Sequence, residues 1–211
     1  MKSKNLLLFI FILSGILLFS CTKQSDTDTE KKSKTDTLTE KLDANTEAAF
    51  ANVNPVPAVD SVIAPVEFRS KLNEVLMEYI HVKQALVKND STDALMQSNQ
   101  LKRALTNIKG ENLNDEKKKE WDDVSEKIEK CCKEVTLNDK LDNQRKAFAK
   151  MTDIMTDLVK KFGFRGRTVY LMFCPDKKAG YWLVDTKDIS NPYLGASVRP
   201  CVEVKESWKF E

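Results

Sequence analysis

Histidine is nearly missing from this chain of 211 residues, which has one, His81. A single imidazole with no Ser or Cys motif beside it gives no basis for a Ser-His or Cys-His hydrolase. No carboxylate pair is framed by turns as a glycosidase pair would be, so an enzyme is not expected. Glycine is scarce at six, and those six form neither GxGxxG nor a P-loop. CxxC spacing is absent, so a zinc ribbon is not indicated. A solenoid repeat is missing too. Nor is there an excess of charge. The chain has 34 Lys+Arg against 32 Asp+Glu, and without Lys2 and Lys4 of the apolar leader the two signs are equal. Lys117, Lys118 and Lys119 sit among Glu116, Glu120, Asp122 and Asp123, the pattern of a solvated helix face. Without a basic surface interleaved with aromatics, no nucleic-acid partner is expected.

What is present begins with an N-terminal leader. Two lysines precede an apolar run from Leu6 to Phe19, too short for a comfortable membrane span but suited to secretion. It ends Leu18-Phe19-Ser20-Cys21, which resembles the lipobox of bacterial lipoproteins, although Phe19 is unusual at its position. By that resemblance residues 1–20 are a lipoprotein signal peptide and Cys21 is the lipidated first residue of the mature chain. Two or more acyl chains would hold the protein on a membrane, facing the periplasm or the cell surface. Residues 21–62 are rich in Thr, Asp, Lys, Ser and Glu, then Asn54-Pro55-Val56-Pro57, with few large apolar side chains. They read as a flexible stalk with at most a weak helix near Leu38 to Phe50.

Residues 63–211 carry the folded part. Phe68, Leu72, Val75, Leu76, Tyr79, Val82 or Lys83, and Leu86 recur at helical spacing, and Lys88-Asn89-Asp90 ends that helix. Ser91 or Thr92 caps a second helix with Leu95, Leu101, Leu105 and Ile108 inward, stopped by Gly110. Asn114 caps a third, with Trp121, Val124, Ile128, Cys131 or Cys132, and Val135 along one side. Asn138 caps a fourth, with Leu141, Phe148, Met151, Met155, Leu158 and Phe162, ending at Gly163. The expected fold is mainly α, an antiparallel four-helix bundle with a small C-terminal β-containing cap.

The cap is the stretch Thr168 to Cys201. Thr168 to Cys174 reads as a short buried strand stopped by Pro175, Gly180 to Val184 as a second strand, and Asn191-Pro192-Tyr193 with Gly195 as a turn. Strand alternation would point Met172 and Cys174 the same way, bringing two sulfurs together.

Helical hairpins followed by VYLMFCPDKKAGYWLVDTKDISNPYLG and a later Cys resemble a family of bacterial periplasmic domains of unknown function. Such domains occur in lipoproteins and at the C-termini of membrane-fusion (periplasmic adaptor) proteins of heavy-metal efflux pumps. The resemblance covers roughly Phe68 to Val204 and is most specific from Val169 to Cys201; Lys83-Gln84-Ala85-Leu86-Val87 and Gln144-Arg145 are its better points in the helices. It implies an accessory or binding module for copper- or silver-type metal handling, with efflux-pump components or a metal ion as partners. The family pattern has a histidine, a Cys-Pro-Met and a methionine where this chain has Ala147, Cys174-Pro175-Asp176 and Val198. The metal motif is therefore degenerate, reduced to Cys174 and Cys201, with Met172 the nearest further soft donor for Cu(I) or Ag(I).

The same resemblance places Cys174 near Cys201. In an oxidising compartment they form either a disulfide or, reduced, a thiolate metal site; the alternative function is a structural or interaction domain stapled by that bridge, without metal. The four cysteines after Cys21 allow three pairings, so connectivity stays open from sequence. Cys131 and Cys132 are adjacent on a helix, about 100° apart, and cannot bridge each other. One is expected to face the core. His81 reads as a boundary residue, and Met151 and Met155 as core packing.

Overall fold

Phe68, Leu72, Leu76, Tyr79, Val82 and Leu86 are all buried along one side of a single helix, which is the periodicity read from the sequence realised as packing. The computed structural model describes residues 43–57, 64–175, 180–195 and 201–211. Its principal helices are α2 (Val66–Val87), α3 (Ser91–Thr106), α4 (Asp115–Thr136) and α5 (Leu141–Phe162). A helix also covers 43–50 (α1). Strands β1 (Val56–Pro57), β2 (Thr168–Phe173), β3 (Trp182–Val184) and β4 (Glu203–Lys209) complete a mainly helical chain with a small mixed sheet.

Each long helix packs on the next in sequence, α2 on α3, α3 on α4 and α4 on α5, and α2 also meets α5. The described residues fall within one unit, Glu40–Glu211. Its core runs from Trp121, Phe68 and Phe162 at one end to Tyr79 stacked on Phe148, ring centroids 5.0 Å apart. Burial of this apolar surface is the main stabilising term. Among the described residues no helix is long and apolar enough to cross a membrane.

The helix ends follow local chemistry, with two departures. The Asn114 side chain accepts from the Lys117 N–H at 2.8 Å and Gly163 closes α5 at φ 69°, both as the sequence indicates. The cap of α3 is Asp90, not Ser91 or Thr92: its carboxylate accepts from the Asp93 N–H at 2.8 Å, a stronger acceptor one residue earlier. Asn138 does not cap α5. Its amide instead donates to the Glu134 carbonyl at 2.6 Å, closing the end of α4, and α5 starts after Lys140 without a side-chain cap. On α3, Ala94 and Ser98 are buried and Leu95 only half-buried, because small residues allow α2 to approach closely.

The sheet order is β1-β4-β2-β3, with β1 parallel to β4 and the other pairs antiparallel. A bulge between Leu171 and Met172 shifts the β2–β4 register, from Leu171 opposite Glu206 to Met172 opposite Val204. Strand β4 was not anticipated, since Glu203-Val204-Lys205-Glu206-Ser207-Trp208-Lys209 looks like a charged tail. Only Ser207 in it is buried, as expected of a strand whose stability comes from ladder hydrogen bonds. Its end is anchored by the Phe210 N–H donating to the Arg167 carbonyl at 2.8 Å, and by buried Arg69 of α2 donating to the Glu211 carbonyl at 2.8 Å.

The segment expected to be a flexible stalk, 21–62, is described over 43–57, and there it is folded onto the domain. Phe50 is buried edge-on against Tyr170, centroids 5.0 Å apart, and Val56 and Pro57 pair with Trp208 and Lys209. One large aromatic at a helix end outweighs the polar composition around it. The leader, Cys21, Asp176, Val198 and Pro200 lie outside the described residues.

Candidate functional site

The residues singled out from sequence converge on the loop between β3 and Gly195 and on the cysteines that flank it. Cys174 follows β2 directly and is fully buried. Its sulfur is joined to that of Cys201, just before β4, at 2.15 Å, with Cα atoms 5.0 Å apart. Met172, two residues before Cys174, is also fully buried. The bridge ties the end of β2 to the start of β4, strands already paired in register, and so closes the 27-residue separation between them.

The enclosed loop is held to the helices by a polar clasp. Lys83 on α2 has no exposed surface; its Nζ donates to Asp188 Oδ2 and to Ser190 Oγ, each at 2.6 Å. Gln84 Nε2 donates to the same Asp188 oxygen at 2.6 Å, and the second oxygen, Oδ1, accepts from the Ser190 N–H at 2.8 Å. Burial lowers the Lys83 ammonium from its ordinary value, an effect opposed by the Asp188 charge. Burial works against the Asp188 carboxylate, yet Lys83 and Ser190 together hold it below the usual carboxylate range.

Arg145 of α5 makes the second half of the clasp. Its Nε donates to the Pro192 carbonyl at 2.8 Å, and one terminal nitrogen reaches the Leu86 carbonyl at 3.2 Å and Asn89 Oδ1 at 2.6 Å. Asn89 sits in the left-handed region, φ 58°, at the α2–α3 turn, and its side chain lies so near Gly195 that a Cβ there would come within 2.7 Å. Gly195 has φ 77° as well, so both space and backbone require glycine. Asn191 Oδ1 accepts from the Tyr193 N–H at 2.8 Å, an Asx turn, and Tyr193 donates to the Tyr181 carbonyl at 2.7 Å. Tyr79 Oη accepts from the Leu183 N–H at 3.1 Å and shares a 2.6 Å hydrogen bond with Thr152, tying β3 to both α2 and α5. Burial raises both tyrosine hydroxyls well above their ordinary value.

Lys83, Gln84 and Arg145 thus have a shared purpose that periodicity alone hides. A lysine on the apolar stripe of a helix was the available signal, because a buried ammonium requires a partner elsewhere in the chain.

The remaining candidates stand apart from this clasp. Cys131 and Cys132, of which one was expected to face the core, are both buried free thiols; burial pushes them up to about 11 and about 12. Met151, Met155 and Ala147 are core residues of α5. His81 lies on the exposed side of α2, its Nδ1 3.3 Å from Glu78 Oε2. A groove of about 440 Å³ separates residues 45–53 from Val202–Val204, and its one carboxylate, Glu203, is paired with Lys205. Among the described residues no group of three or more His, Cys, Asp or Glu is arranged to hold a metal ion.

No curated protein and no solved structure matches the chain. Residues 75–165, from the middle of α2 to the turn after α5, match the model of a family described as a protein of unknown function (DUF3347). That stretch includes Lys83, Gln84 and Arg145 but stops before β2, so Met172, Cys174 and Cys201 lie beyond it. Over that stretch the helical domain is similar to a family whose function is unknown.

Proposed function

We propose that this chain is an extracytoplasmic lipoprotein, anchored through Cys21, whose domain is a non-enzymatic accessory module of the kind used in copper- or silver-type efflux assemblies. Its scaffold is an antiparallel four-helix bundle of α2 to α5, a reading supported by the short connections and by the packing of each helix on its neighbour. The observation that carries the functional reading is the buried bridge between Cys174 and Cys201, with buried Met172 two residues away. Oxidised, the pair has no thiolate to offer and the module is a stapled interaction domain. Reduced, it presents two soft thiolates beside a thioether, a set that suits monovalent d¹⁰ ions and falls short of the four ligands zinc prefers.

A competitive Cu(I) chelator titration tests this on the reduced protein, on Cys174→Ser, and on a chain carrying Ala147→His, Asp176→Met and Val198→Met. Binding by the reduced protein that is lost in Cys174→Ser supports metal handling, and tighter binding after restoration supports a degenerate family site. Ala147 is buried, so an imidazole there costs about 1 to 3 kcal/mol in overpacking, and folding of that variant is checked first. Equal binding by all three proteins takes Cys174 and Cys201 out of metal handling and leaves their bridge as a structural staple. The anchor has its own test, acyl labelling and detergent partitioning of the unaltered chain against Cys21→Ser; no lipid label on the unaltered chain refutes it.

A further inference from the structure

Most soft donors among the described residues are closed to solvent. Cys131 and Cys132 are buried with raised thiol pKa values, Cys174 and Cys201 are bonded to each other, and Met151, Met155 and Met172 are fully buried. Three remain outside: Met77 at 44% exposure, Met96 at 53%, and His81, whose side chain is 48% exposed. Met77 and His81 lie on the same helix, α2, four residues apart. That spacing puts one side chain above the other on a single face, with Cβ atoms about 6 Å apart.

We infer that Met77 and His81 form a surface site for a monovalent d¹⁰ metal ion, Cu(I) or Ag(I), open while the Cys174–Cys201 bridge is intact. The inference rests on the metal-handling reading above and assigns it a site distinct from the cysteines. A thioether and an imidazole are soft to intermediate donors, and two of them complete the linear coordination such ions accept. Glu78, three residues before His81, has Oε2 3.3 Å from the imidazole Nδ1. With Nδ1–H donated to that carboxylate, the lone pair is on Nε2, the arrangement by which carboxylates orient metal-bound histidines. The neighbours of Met77 at three and four residues along α2 are Asn73, Glu74, Ile80 and His81, so His81 is the one nitrogen donor of this kind beside its thioether.

The test is an Ag(I) titration of the oxidised full-length chain in chloride-free buffer, using ¹³C-methyl methionine and the His81 ring as reporters. One equivalent is expected to shift the Met77 methyl and His81 ring signals together, with affinity weakened at least tenfold in Met77→Leu and again in His81→Gln. Met96→Leu, the control, is expected to bind as the unaltered chain does. Absence of saturable binding, equal affinity in Met77→Leu or His81→Gln, or loss of binding in Met96→Leu overturns the site. Met77 and His81 are common to reduced Cys174→Ser and the reduced unaltered chain, so the difference between parallel titrations of these two reports on the Cys174–Cys201 pair. Failure at Met77 and His81 is thereby distinguished from failure of the metal-handling reading.

Discussion

Lys83 and Asp188, 105 residues apart in the chain, meet at 2.6 Å with the lysine entirely withdrawn from solvent. The carboxylate keeps about a quarter of its side chain exposed, 26%, so the pair is buried from the lysine side only. This asymmetry decides which partner can be removed safely. An ammonium inside the helices has no route to water, whereas a carboxylate at the edge of the loop does.

Asp188→Asn is accordingly expected to cost about 3 to 5 kcal/mol, the range for an uncompensated buried charge, while Lys83→Met costs clearly less. Urea unfolding of both variants and the double variant gives the ordering. An Asp188→Asn loss under 1 kcal/mol would show that Ser190 and Gln84 suffice to hold the charge.

The pair also sets a pH dependence with opposite contributions at the two extremes. Asp188 has a folded-state pKa below its ordinary value, so its contribution is present in full above the ordinary carboxylate range and is lost as pH falls through the folded value. Lys83 has a lowered folded-state pKa, so between that value and its ordinary one the unfolded chain binds more protons and stability rises with pH. Buried Cys131, Cys132, Tyr79 and Tyr193, with raised values, lower stability as pH rises over the alkaline range, so denaturation midpoints from pH 2 to 11 are expected to show a shallower acid decline in Asp188→Asn and a steeper alkaline fall in Lys83→Met than in the unaltered chain. Parallel profiles for all three proteins would contradict this.

The Cys174–Cys201 bridge closes a loop of 27 residues' separation, for which the chain-entropy relation gives about 3 to 4 kcal/mol. The Lys83 and Arg145 contacts hold the same loop without it, so the reduced domain is expected to stay folded with a lower melting temperature. Non-reducing peptide mapping locates the bridge, and calorimetry with and without reductant gives its size. A reduced protein that melts at the same temperature would show the bridge to be energetically idle.

Cys131 and Cys132, with thiols pushed up to about 11 and about 12 by burial, are expected to resist alkylation at pH 8 in the native protein and to react promptly in denaturant. Mass spectrometry after a timed iodoacetamide pulse measures this. Rapid native labelling of either would mean that α4 opens locally on the timescale of the pulse.

The helices were legible from the chain because their determinants are local. Apolar residues at three- and four-residue spacing, Asn114 ahead of α4 and Gly163 behind α5 act within a turn or two of themselves. Three features depended on the tertiary structure. Strand β4 carries too many charges to announce itself and exists because β2 offers it a ladder. Phe50 is one aromatic in a polar segment until Tyr170 provides a surface for it. Lys83 occupies an apolar stripe for a reason that lies 105 residues further on, in Asp188. Periodicity measures which side of an element is turned inward, but the partner of a buried charge or an edge strand is chosen by the fold, and its distance along the chain leaves no local trace.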